Sequence, residues 1–65
     1  MNSLEMKVAM KRNADTLEKL AEALGLQVSG AWARVNGKTD FRANEIKTIR
    51  QRYNLSAEDI VKIFL

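Results

Sequence analysis

Gln27, Val28, Ser29 and Trp32 carry the most specific chemistry this sequence offers. A glutamine amide sets a donor beside an acceptor, the pattern that fits the exposed edge of adenine. A valine methyl suits the thymine methyl, and a serine hydroxyl bonds to a base edge or a phosphate. Arg34, Lys38 and Arg42 follow closely, with Lys47 a weaker addition. Cations so placed neutralise phosphates and make binding fall with rising salt. The same stretch also reads differently. Leu17, Val28 and Trp32 are apolar where a base-reading face is polar, and an outward tryptophan beside leucine and valine has the character of a protein-binding hot spot. Trp32 has an inward option too, filling the space left beside the small Ala31. Each cation taken alone also fits an ordinary solvated surface charge.

Other chemistries are poorly served. With no cysteine and no histidine, disulfides, Cys/His zinc sites and histidine acid–base catalysis drop out. Asp40 and Glu45 are the acids near the basic cluster, and no nucleophile–base pair or cofactor loop accompanies them. The expectation is therefore no enzyme, no cofactor, no metal and no small-molecule substrate. No apolar run nears the ~20 residues of a membrane span, and the N-terminus lacks a signal-peptide layout. No helix sets lysines opposite a broad apolar face, as membrane-surface binding requires. A cytoplasmic protein is expected. The net charge of +3 permits nucleic-acid binding without establishing it. Its distribution says more: the segment from Asp15 to Glu22 is acidic, whereas residues 34 to 52 hold six basic side chains against Asp40 and Glu45.

The elements that must position these residues form one domain over residues 1–65. The absence of proline and the scarcity of glycine favour helices throughout. A first helix is expected from Ser3 to Arg12, capped by Ser3, with Leu4, Val8 and either Ala9 or Met10 inward. A second begins near Asp15 or Thr16, where Asp15 and Glu18 match a capping box. It carries Leu17, Leu20, Ala21 and Leu24 to a stop at Gly25. Leu26 is expected to plug the core below the turn. A third helix runs from Val28 to Val35, with Ala31 and Val35 inward, and ends at Asn36-Gly37. A fourth covers Arg42 to Tyr53, with Phe41 at its entry and Ile46, Ile49 and Tyr53 inward. The last opens at Ser56-Ala57-Glu58-Asp59 and turns Ile60, Ile63 and Phe64 to the core.

The stretch Thr16-Leu17-Glu18-Lys19-Leu20-Ala21-Glu22-Ala23-Leu24-Gly25-Leu26 has the physics of a helix-turn-helix. Ala21 lets two helices cross closely and Gly25 supplies the sharp turn. Here the chain resembles the phage Cro/repressor-type (XRE-like) helix-turn-helix family over nearly its whole length. The positions that carry the likeness are Thr16, Leu20, Ala21, Leu24, Gly25 and Leu26, then Asn36, Gly37, Lys38, Thr39 and Phe41, then Glu45 and Ile46. Leu55-Ser56 and Ile63-Phe64 are similar to the closing residues of small phage regulators from Gram-positive hosts. The resemblance implies an all-α, compact five-helix domain of the lambda-repressor-like type. It also implies a transcriptional regulator of a lysis–lysogeny switch in a bacterial host. Such a protein would bind double-stranded operator DNA, as a homodimer on two half-sites.

The departures bear on the same face. Leu17 stands where the family has a glutamine that commonly touches DNA, and Gln27 replaces the serine that opens the recognition helix. Ala31 is smaller than the usual core residue, Trp32 replaces a small polar one, and Arg42 sits in place of a Thr or Ser cap. Gly30 weakens the helix by roughly 1 kcal/mol relative to alanine. These departures sustain an alternative expectation: an antirepressor or modulator that uses the same face to grip a partner phage repressor. On either reading the contact residues are Leu17, Gln27, Val28, Ser29, Trp32, Arg34, Lys38 and Arg42.

Overall fold

Asn2 opens the first helix. Its extended backbone and its Oδ1, which accepts from the Glu5 N–H at 3.1 Å, cap α1 (Ser3–Arg12). The expectation of Ser3 as cap is thus off by one residue. The computed structural model describes all 65 residues and is all-helical, with α2 (Leu17–Leu24), α3 (Val28–Val35), α4 (Ala43–Tyr53) and α5 (Ala57–Phe64) following. No helix is long and apolar enough to cross a membrane.

The inward face of α1 differs from expectation. Leu4 is 69% exposed and Val8 only half-buried, while Met6, Ala9 and Met10 are buried. Met6 and Met10 lie one turn apart with Ala9 beside them, so they form a stripe as continuous as Leu4–Val8 on a different side of the helix. Methionine's flexible side chain fills an irregular core well, and Met6 is completely enclosed.

Thr16 caps α2, its Oγ1 accepting from the Lys19 N–H at 3.2 Å. Asp15 makes no capping box with Glu18, because its carboxylate is turned to α4 instead. Gly25 ends α2 in the left-handed region at φ 68°, ψ 31°. The Leu26 N–H reaches the Ala21 carbonyl at 2.8 Å and the Gly25 N–H the Glu22 carbonyl at 3.2 Å, the paired bonds of a Schellman turn. Space does not require glycine here, since an added Cβ would touch nothing within 4 Å. The backbone angle does. Gly25→Ala is expected to cost about 1–2 kcal/mol, read as a lower urea midpoint with an unchanged slope.

Asn54 ends α4 in the same way at φ 52°, with the Leu55 N–H bonded to the Arg50 carbonyl. Ser56 and Asp59 then exchange reciprocal bonds of 3.0 and 3.1 Å, a complete capping box for α5. Arg42 lies just outside α4 and not within it, its N–H held by the Glu45 carboxylate at 2.9 Å.

These tight ends let short helices fold back on one core of Met6, Ala9, Met10, Leu20, Val35, Phe41, Ile49, Tyr53 and Ile63. Phe41 meets Phe64 edge-on, with centroids 5.8 Å apart. Leu26, expected as a core plug, is only half-buried and lies outside this cluster; Leu17 and Leu24 pack against it instead. The Asn2 N–H donates to the Ile63 carbonyl at 2.7 Å, which ties the start of α1 to the end of α5. The most extensive helix contact joins α2 to α3. That contact fixes the attitude of the outer face of α3.

Candidate functional site

The outer face of α3 is set by what its inner face buries. Ala31 is completely enclosed and Val35 nearly so. Helical geometry then directs Val28, Ser29 and Trp32 outward, and all three are exposed. Gln27 precedes them with an extended backbone, and its side chain makes no capping bond. Its amide is left free at the helix N-terminus, beside amide N–H groups that no side chain satisfies. This end of α3 therefore offers one amide, one hydroxyl and one valine methyl to whatever it meets.

Trp32 is 48% exposed, so the inward and outward options are each partly realised. It walls a groove of about 380 Å³ between α1 and the α2–α3 pair, together with Lys7, Met10, Lys11, Asp15, Leu17, Val35 and Asn36. Leu17 is half-buried and lies in this groove, packed against the core at its rim. Val28, at 44%, is as open as Trp32.

The cations divide into two kinds. Lys38 and Arg42, with Lys47, are exposed and form no salt bridge. Arg34 is different. Its Nε donates to Glu45 Oε1 at 2.8 Å, and the two side chains are only 11% and 6% exposed. Arg34 Nη1 also reaches back to the Gly30 carbonyl at 3.3 Å. A Cβ on Gly30 would lie 3.5 Å from that same nitrogen, an ordinary van der Waals contact, so the folded-down guanidinium does not require glycine at this position. Because Glu45 Oε1 accepts from Arg42 N–H as well, one carboxylate oxygen joins the end of α3 to the start of α4.

A second polar cluster meets the rim of the groove at Asp15. Asp15 accepts two bonds from Arg52, at 2.8 and 3.0 Å, one from the Thr16 N–H at 3.0 Å, and one from the Tyr53 hydroxyl. The Arg52 bonds, opposed by burial and aided by Tyr53 and Thr16, lower the Asp15 pKa from 3.8 to about 2. Burial, then the anionic Asp15, pushes the Tyr53 hydroxyl above its ordinary value. An aspartate so fully engaged is a structural anion and a poor general base. No three His, Cys, Asp or Glu side chains gather into a metal-binding set.

Sequence reasoning did not single out Lys7, Met10, Lys11 or Asn36 as surface features. The available signal was the spacing of Lys7 and Lys11, four apart on α1. Assigning Leu4 and Val8 to the core obscured the side of α1 that these lysines share with the groove. Compared with known proteins, the chain matches no family model, no curated protein and no solved structure.

Proposed function

We propose that this chain is a small Cro-like transcriptional regulator that binds double-stranded operator DNA through a helix-turn-helix formed by α2 and α3. The observation that carries this reading is the free N-terminal end of α3. There Gln27, Val28 and Ser29 are exposed and unengaged, on a helix held by α2 and the Gly25 turn. These are the groups that adenine, thymine and phosphate take up in a major groove. Lys38 and Arg42, exposed and in no salt bridge, follow the other end of α3 and supply phosphate contacts there. The Cro/repressor-type pattern from Thr16 to Leu26 and from Asn36 to Ile46 adds to this reading. So small a domain offers few base contacts, which favours a homodimer on two half-sites.

Titration against phage promoter DNA and random-sequence DNA, at low and moderate salt, tests the proposal. Selective binding that weakens with salt is the expected result; absence of DNA binding even at low salt rejects it. Gln27→Ala is expected to cost about 1–3 kcal/mol and to relax the preference at one base pair. Lys38→Ala and Arg42→Ala should each weaken all sequences alike and reduce the salt slope by about one.

A second reading is favoured by the openness of Val28 and Trp32. On it, the same face covers the DNA-binding surface of a partner phage repressor, and co-purification of that repressor without DNA binding is the outcome that selects it.

A further inference from the structure

The groove between α1 and the α2–α3 pair has a chemistry that neither bases nor phosphates use fully. Its floor is apolar, built from Met10, Leu17, Trp32 and Val35. At about 380 Å³ it falls in the size range of small binding pockets, about 300–1,000 Å³. Its rim carries Lys7 and Lys11, exposed and one helical turn apart. Neither lysine belongs to any of the salt bridges of the fold, which join Arg34 to Glu45, Arg52 to Asp15 and Lys62 to Glu5. Asp15 is the one acid on the rim, and its charge is already matched by Arg52. The field over the groove is therefore positive, above a floor that gains by losing water.

These two properties select one kind of occupant. A nucleic-acid backbone satisfies the lysines but leaves the exposed parts of Leu17 and Trp32 wet. A basic or neutral peptide covers the floor but leaves the lysines without partners. A helix with apolar anchors one turn apart and carboxylates beside them satisfies both, because its acids repeat at the spacing of Lys7 and Lys11.

We infer that this groove is a docking site for an acidic amphipathic helix of another protein. Trp32 is the anchor wall and Lys7 with Lys11 the charge filter. The docking does not depend on what Gln27, Val28 and Ser29 contact. Because Leu17 and Trp32 belong to both surfaces, a docked helix covers part of the face proposed for DNA and competes with it; that consequence alone rests on the DNA reading.

Trp32 is the sole tryptophan, so its emission reports occupancy of the groove directly. The probe is a short helix-forming peptide without tryptophan, carrying leucine and phenylalanine anchors flanked by glutamates. Its control has lysine at each glutamate position. The acidic peptide is expected to shift Trp32 emission to the blue with micromolar affinity, and the lysine control to bind about tenfold more weakly. The double variant Lys7→Glu with Lys11→Glu should reverse that preference while keeping its helical content and melting temperature. Should that variant melt early, Lys7→Gln with Lys11→Gln replaces it and should erase the preference. Equal affinity for both peptides, or no emission shift with the acidic one, overturns the inference. So does an emission shift produced by duplex DNA and not by the peptide. Competition with DNA is measured separately on the same samples, so loss of the DNA reading leaves the peptide result standing.

Discussion

Asp15→Asn is expected to remove about 2 kcal/mol of stability at neutral pH. Two routes give this figure. Lowering a carboxylate from 3.8 to about 2 means the folded state favours the charged form by about 2 kcal/mol, at 1.36 kcal/mol per unit. Breaking a buried pair by removing one partner costs about 3–5 kcal/mol. A value below that range, in line with the first figure, applies because the Arg52 side chain is 32% exposed and keeps some of its water. For so small a domain, 2 kcal/mol lowers the melting temperature by roughly 8–16 °C. Tyr53→Phe removes only one of the bonds to Asp15 and should cost about 1 kcal/mol.

The pH dependence has a definite sign. The folded-state value is depressed, so this stabilisation is complete well above 3.8 and is lost as pH falls from there towards 2. Wild type and Asp15→Asn should therefore differ fully at pH 6 and converge as the pH approaches 2. Urea midpoints measured across that interval check it. A gap that persists undiminished at pH 2 would show that Asp15 acts through shape and not through its charge.

What the sequence made legible here was local. Thr16, Gly25, the Asn36-Gly37 pair and Ser56 act on backbone groups within a few residues of themselves. The helix ends they mark appear where expected, within a residue. Burial of Ala31, Val35, Ile49 and Ile63 followed from helical spacing alone. What escaped was decided at long range. Asp15 looked like a cap because caps are local, yet its partners lie 37 and 38 positions away on α4. Leu4 and Met6 head equally plausible stripes on α1, and only the packing of the other helices chooses between them. The same holds for the candidate site. Gln27 and Ser29 were legible as exposed polar groups at a helix start, whereas the groove of Lys7, Lys11, Leu17 and Trp32 exists only once α1 is seated against α2 and α3. Arg34 was read with the surface cations because nothing in its neighbourhood announced Glu45, eleven positions on.

Arg34 and Glu45 give the second large effect, and it separates a brace from a DNA contact. Glu45→Ala is expected to cost about 3 kcal/mol. It strands a guanidinium that is 11% exposed and removes the carboxylate that holds the Arg42 N–H at the start of α4. Replacing both partners, with Arg34→Leu and Glu45→Met, leaves no uncompensated charge, and stability should return to within about 1 kcal/mol of wild type. That rescued protein is the useful one. On the proposed DNA-binding reading, if the guanidinium stays with Glu45 in the complex, the double variant keeps the wild-type salt slope, while Lys38→Ala and Arg42→Ala each reduce it by about one. The geometry predicts this outcome, because leaving Glu45 for a phosphate would strand a carboxylate that is only 6% exposed. A reduced slope in the rescued double variant would instead mean that DNA draws Arg34 out of its pair. Glu45 would then have to turn to water, and α3 could not keep its present attachment to α4.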